Sequence, residues 1–293
     1  MAWKVISAIK TRVVEKIAST HVAGPHLADA IRVARVAASR GWSCTICPWE
    51  NKNDSPGSMA TRYRQTLKSM IQANVNGTLS VKAPALQFDF ELLKEILSVA
   101  RGAGMRVQFD AQDPASAQPT FQLIEKAAAL YRNVGCTLPA RWDRSKRDAD
   151  RAIELQIAVR VVKGMWLDPN MPRVDCRLSY LELVDKLAGR VPHVSVATHD
   201  GVVAAESLQR LIEAATVCEL EILVGLPTAV AHVAEKRFVP VRVYIPYGTP
   251  HLPYNVSYVV NRPAIAGWVL RDLYLGRRKR LFEETKGVGY ADA

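Results

Sequence analysis

The sequence predicts an α/β fold: a (β/α)8 barrel of the TIM type with an N-terminal helical extension. Three observations predict it. Short apolar runs rich in β-branched residues alternate with segments of helical period, and eight such strands are counted along the chain. Strict strand–helix alternation implies parallel strands joined by right-handed crossovers. No G-x-G-x-x-G turn is present, although an open doubly wound sheet would usually carry a glycine-rich turn after its first strand. Barrels of roughly 250 residues form one domain, so residues 1–293 are read as a single unit. Within it, residues 1–22 are an amphipathic N-terminal helix and residues 277–293 a basic, flexible tail.

The elements follow in order. Leu27, Ile31, Ala34 and Ala38 have the period of a helix within residues 24–40, which Gly41 ends. WSCTICPWE reads as a strand, followed by a polar loop and a helix from about Ala60 to Ala73. LSVKAPAL (79–86) is a strand and FELLKEILSVARGAG a helix; MRVQFDAQ (105–112) is a strand and Thr120 to Arg132 a helix. GCTLPARW (135–142) is a short strand, with a charged helix through Ile153. Ile157 to Val162 is an apolar run closed by Lys163-Gly164, followed by a loop and a helix from about Leu178 to Ala188. HVSVATHD (193–200), a helix to about Ala215, LEILVG (220–225) and VRVYIPYG (241–248) complete the count.

Charge and cysteine content narrow the functional classes. The chain has a formal charge of +11, with its basic residues dispersed. Their densest run, Arg277-Arg278-Lys279-Arg280, ends the last predicted helix, where cations offset the helix dipole. No zinc-finger, RRM or helix-turn-helix pattern appears, so nucleic acid is not an expected partner. No apolar segment reaches the ~18 residues of a membrane span. The N-terminus has no signal-peptide apolar region, and a cytoplasmic protein with reduced thiols is expected. Cys44 and Cys47 form a C-x-x-C, but positions three apart on a strand face opposite sides. No metal site is expected.

In a barrel the chemistry lies at the C-terminal ends of the strands. Those ends carry Lys82, Asp110, Arg160, Lys163, Thr198-His199-Asp200, Glu221 and Tyr244, a polar ring suited to a phosphate-bearing or carboxylate ligand. Arg160 stands out as a cation inside an apolar strand. Burying it costs several kcal/mol unless an anion or a hydrogen-bonding partner compensates it. An ion pair and a bound ligand are both open on the strand alone. With no carboxylate nearby in sequence, the expected partner is the ligand.

From about residue 22 to residue 275 this series of strand ends resembles the proline dehydrogenase family. LSVKAPAL resembles its I-S-I-K-L-S-A-L strand and VQFDAQ its strand ending in Asp-Ala-Glu. GCTLPARWDRS resembles G-x-T-L-Q-A-Y, VRVVKGMW resembles R-L-V-K-G-A-Y, VATHD resembles F-A-T-H-N, and RVYIPYG resembles R-I-Y-A-P-V-G. Each motif is weak alone; their order and spacing together are specific.

The resemblance implies a distorted (β/α)8 barrel that uses FAD to oxidise a C–N bond of an amino acid. It places Arg160 near the flavin N5 and pyrimidine edge, and Lys163 and Gly164 along the cofactor. Thr198 and His199 contact its ribityl-pyrophosphate part, and Val162, Trp166, Asp200 and Glu221 complete the cofactor side. Lys82 neutralises the substrate carboxylate, Asp110 holds Lys82 by an ion pair, and Tyr244 and Tyr258 line the substrate pocket. Asn261 and Arg262 take the place of the family's paired arginines that grip the carboxylate. A quinone or oxygen is the implied electron acceptor, and a weak peripheral membrane contact through Arg277–Arg280 is compatible with a quinone.

The departures from the family pattern fall in the expected pocket. Asn261 replaces an Arg, Pro263 and Ile265 alter the following helix, Pro139 replaces a flavin-facing Gln, Met165-Trp166 replaces Ala-Tyr, and Asp200 replaces an Asn. The favoured reading is a flavoenzyme acting on a proline-like amine other than free L-proline. An ordinary L-proline dehydrogenase and a non-catalytic flavin- or metabolite-binding barrel remain the alternatives.

Overall fold

The computed structural model describes residues 21–249, except residues 52 and 172. The expected N-terminal helix before residue 21, the basic tail, and Tyr258, Asn261, Arg262, Pro263 and Ile265 lie outside the described residues. Eight parallel strands close into a barrel in chain order, each hydrogen-bonded to the next and the eighth to the first. The strands are β1 (Ser43–Pro48), β2 (Gly77–Val81), β3 (Arg106–Phe109), β4 (Val134–Pro139), β5 (Ala158–Val162), β6 (Val194–Ala197), β7 (Cys218–Leu223) and β8 (Val241–Tyr247).

The helices among the described residues are α1 (Leu27–Ala38), α2 (Pro56–Gln72), α3 (Phe90–Gly102), α4 (Ala117–Leu130), α5 (Ser145–Leu155), α6 (Cys176–Leu187), α7 (Gly201–Glu213) and the short α8 (Ala231–Glu235). Their starts are written locally. Ser55 accepts from the Ser58 amide with Pro56 at the first helical position, and Asp89, Asp175 and Asp200 each accept from two amides of the helix that follows. Helix α1 precedes the first strand and packs against the β8–β1 seam.

Two expectations needed correction. LSVKAPAL is not one strand: β2 ends at Val81, and Ala83–Leu86 is a 3-10 turn with a proline in its first turn. Between β7 and β8, Thr228–Val230 and α8 form a connection in which no helix was expected. Five helical residues are too few to show a 3.6-residue period.

The two faces of the barrel wall differ in chemistry. Ile46, Leu79, Val107, Leu138, Val161, Val196, Ile222 and Val243 are buried in the apolar cluster that contains helix residues such as Leu67, Leu93, Ile124 and Leu208. Each such side chain stabilises by about 1.5–3 kcal/mol. The alternate positions hold Thr45, Ser80, Gln108, Thr137, Arg160, Ser195, Glu221 and Arg242. Barrel interiors are dominated by Val, Ile and Leu; this one is polar.

Near the N-terminal ends of the strands this interior is closed by ion pairs. Arg242 Nε lies 2.7 Å from Glu219 Oε1, which also accepts from Ser195 Oγ at 2.6 Å. Arg242 Nη1 donates to the Cys44 carbonyl and to Thr78 Oγ1, while Arg106 Nη1 meets His193 Nδ1 at 3.1 Å. Burial pushes His193 down to about 4, helped by Arg106 and Arg242 and opposed by Glu219.

Candidate active site

Towards the C-terminal ends of the strands, the interior converges on Arg160. Its Nη2 makes a short ion pair with Asp110 Oδ1 and donates to Thr137 Oγ1 at 2.9 Å; its Nη1 lies 3.5 Å from Glu221 Oε1. Tyr244 donates its hydroxyl to Asp110 Oδ2 at 2.7 Å, and its ring centroid lies 5.0 Å from the Arg160 guanidinium carbon. The Cys47 thiol is 3.6 Å from the same carboxylate oxygen. Five strands, or the residues just beyond their ends, thus meet at one buried cation.

The electrostatics follow from this packing. Burial alone would raise Asp110, but the Arg160 charge and the Tyr244 hydrogen bond outweigh it and bring the carboxyl below its ordinary value. Burial opposes the charge on Arg160, yet Asp110 and Glu221 hold its pKa above the usual value. Glu221 moves the other way: burial raises it, and Arg160 and Arg242 offset that only in part. Burial pushes the Cys47 thiol up to about 12, with Asp110 adding to the shift. The protonated thiol faces the Asp110 carboxylate as a weak donor.

These contacts correct two readings of the sequence. Arg160 has carboxylate partners within the protein, remote in sequence, so a ligand is not its only compensation. Asp110 pairs with Arg160 and makes no ion pair with Lys82, which is unpaired among the described residues. The Lys82 ammonium lies 5.7 Å from the centre of the Trp49 ring, and the Lys82 amide donates to Tyr63 Oη at 3.1 Å. It contributes to the field at Asp110 only as a more distant cation.

The remaining expected positions are placed as follows. Glu221 is buried beside Arg160 rather than at the rim. Val162, the last residue of β5, is half-buried and pairs in register with Pro139 and Ala197. Lys163 is exposed, and Gly164 follows at φ 89°, in the left-handed region that favours glycine. A Cβ on Gly164 would lie 2.7 Å from Pro139 Cβ and 3.0 Å from Arg141 Cγ. Trp166 is half-buried and its carbonyl accepts from Trp142 Nε1 at 3.0 Å. Thr198 Oγ1 accepts from the Asp200 amide at 3.1 Å, and the Asp200 carboxylate caps α7. That cap gives Asp200 a structural role within its own helix.

His199 Nε2 accepts from the Leu223 amide at 2.8 Å, so the neutral ring carries its proton on Nδ1. Burial pushes His199 down to about 4, with His21 adding to the fall and a hydrogen bond to Pro227 opposing it. Sequence reasoning missed Thr137, Cys47, Arg141 and Trp142. The first two were within reach, because they share the period-two parity that points Arg160 inward.

The two depressed histidines predict acid sensitivity. Both are neutral in the folded protein down to about pH 4, whereas the unfolded chain protonates them near their ordinary value of 6.5. Unfolding therefore takes up protons as pH falls from 6.5 towards 4, and stability drops by about 1.4 kcal/mol per pH unit for each histidine. Glu221, raised by burial, works in the opposite direction. The His193→Asn variant isolates one contribution: between pH 6.5 and 4.5 its urea-unfolding free energy is expected to fall less steeply than that of the parent. Parallel slopes would show that His193 titrates normally.

No protein-family model matches the sequence. Curated relatives do. Proline dehydrogenase 1 of Bacillus subtilis (strain 168) is 24% identical over 270 residues, covering 86% of this chain and 89% of the relative. Proline dehydrogenase of Deinococcus radiodurans is 23% identical over 193 residues, 62% of each chain. Among solved structures, proline utilization A from Bdellovibrio bacteriovorus, inactivated by N-propargylglycine, superposes with a TM-score of 0.72 at 15% identity and covers 98% of this chain. Proline utilization A from Corynebacterium freiburgense gives 0.69 at 16% identity and 94% coverage. The chain spans only about a third of those two larger proteins, 35% and 36%. The structures share the barrel, and the curated relatives share sequence over most of the chain. The chain is thus similar in sequence, at a divergent level, to proline dehydrogenases over most of its length, and it shares the barrel fold of proline utilization A.

Proposed function

We propose that the protein is an FAD-dependent oxidoreductase that oxidises a C–N bond of a proline-like amine or amino acid to the imine. The observation that carries this reading is the unfinished hydrogen bonding of Arg160. Its Nε and Nη1 are buried and have no hydrogen-bond acceptor among the described residues, although its Nη2 is fully used. The isoalloxazine edge presents ring nitrogens and carbonyl oxygens as acceptors, so unclaimed guanidinium donors suit it. Exposed Lys163 and the glycine beside it suit the anionic part of the same cofactor. The donor set fits a flavin, with Pro139 adding no donor of its own.

A bound flavin supplies the redox chemistry by accepting a hydride from the carbon next to the amine nitrogen. This chain's residues bind and orient. Lys82, which lies over Trp49 and has no carboxylate partner among the described residues, is placed to neutralise a substrate acid group. Asp110 fixes the Arg160 guanidinium, and Tyr244 fixes Asp110 while its ring covers one side of the cation. Val162, Trp166, Thr198, His199 and Asp200 shape the cofactor side, and Glu221 acts through Arg160. Tyr258, Asn261 and Arg262 complete the substrate side in this reading.

The test is direct. Purified protein is expected to take up FAD and to lose its visible flavin absorbance when a suitable amine is added without oxygen. Protein that takes up neither FAD nor FMN would refute the assignment. Asn261, in place of an arginine, gives up a charge-assisted contact worth about 1.5–3 kcal/mol. Free L-proline is therefore expected to react at least about tenfold less efficiently, in kcat/KM, than the natural substrate. Asn261→Arg is expected to move preference towards L-proline; turnover of L-proline by the parent enzyme at about 10⁴ M⁻¹s⁻¹ or above would show that Arg262 and Lys82 suffice.

A further inference from the structure

We propose that Arg141, Trp142 and Asp168 are positioning residues that hold the Lys163–Gly164 turn in the shape that receives the cofactor. The inference rests on the flavoenzyme reading above. The β4–β5 ladder continues past the strands through the Ala140 amide and the Val162 carbonyl at 2.8 Å. The two following loops then stay side by side through three successive rungs. Arg141 Nη1 donates to the Met165 carbonyl at 3.1 Å, Trp142 Nε1 to the Trp166 carbonyl at 3.0 Å, and the Asp143 amide to Asp168 Oδ2 at 3.0 Å. The other Asp168 oxygen accepts from the Asn170 amide at 2.9 Å, which folds the loop back on itself.

Connecting segments of a barrel run over its surface, yet Arg141, Trp142 and Asp168 are 5%, 4% and 3% exposed. Arg141 makes no ion pair among the described residues. Its guanidinium is committed to a backbone carbonyl and lies 3.7 Å from Cys176 Sγ at the start of α6. Its aliphatic stem, with Pro139, forms the floor under Gly164, where a Cβ would collide with both. Lys163, by contrast, is exposed. The turn is thus anchored from beneath by buried side chains while its cation stays accessible. A preorganised turn spares binding the cost of ordering it, and misplacement by about 1 Å at such a site can cost on the order of a hundredfold.

The experiment titrates apoprotein with FAD by flavin fluorescence, with far-UV circular dichroism recorded at the same temperature. Trp142→Phe keeps the ring volume and removes only the indole N–H, and Arg141→Met keeps the stem and removes the donors. Both are expected to weaken FAD binding by about tenfold or more. Arg141→Lys, which can still donate to the Met165 carbonyl, is expected to stay within about threefold of the parent, and the amine KM of FAD-saturated Trp142→Phe to stay within about twofold. FAD affinities of Trp142→Phe and Arg141→Met equal to the parent's would overturn the proposal while leaving the flavoenzyme reading intact. Loss of helical signal in both apoproteins would assign these residues to the fold and overturn it as well. A parent protein that does not bind FAD refutes the flavoenzyme reading, and this inference falls with it.

Discussion

Asp110→Ala is expected to destabilise the protein by about 3–5 kcal/mol, because it leaves the Arg160 guanidinium buried with its main anion removed. Arg160 is 5% exposed and cannot recover hydration without opening the barrel. The remaining carboxylate, Glu221, stands 3.5 Å from Nη1 without a hydrogen bond, and burial already raises its pKa. It is poorly placed to take over. The same change strips the half-buried Tyr244 of the acceptor for its hydroxyl, leaving a second donor unmet. Asp110→Asn keeps an acceptor and most of the shape, so it should cost less than alanine while still removing the ion pair. Urea unfolding of the two variants at neutral pH reads both predictions. Equal midpoints for parent and Asp110→Ala would mean that water or Glu221 compensates Arg160.

Why this partnership was not legible in the sequence is a matter of barrel geometry. Lys82 and Asp110 follow adjacent strands, β2 and β3, and the Asp110 amide bonds the Val81 carbonyl next to Lys82. Nearness along the rim made them natural partners. Side chains that point inward, however, converge across a narrow interior, where Asp110 meets Arg160 of β5 and Tyr244 of β8, while the Lys82 ammonium lies over Trp49. Parity along each strand is visible in a sequence; the stagger that decides which inward residues share a layer is not. The barrel itself was legible because eight apolar runs alternate with helical segments. The same runs concealed the polar interior, since Val159-Arg160-Val161 reads as an apolar strand with one exception until its alternate positions are compared around the barrel. Arg141 and Trp142 gave no periodic signal, being loop residues whose burial comes from the neighbouring loop.

Arg160→Met is the counterpart and the more informative change. It removes the cation that two buried carboxylates face, and it is expected to cost about 3–5 kcal/mol of stability and to abolish retention of the flavin. Combined with Asp110→Ala, the loss should be far from additive, because the second substitution relieves a carboxylate that the first left unpaired; a coupling of about 1–3 kcal/mol is expected. The comparison cycle pairs Asp110→Ala with Lys82→Met. No ion pair joins these two side chains, so their effects on unfolding free energy should add to within about 0.5 kcal/mol. Urea midpoints of the variants, measured together, decide between the two partnerships. Strong coupling at Lys82 with additivity at Arg160 would show that Asp110 serves the substrate lysine, and that its contact with Arg160 does not carry the interaction energy of the site.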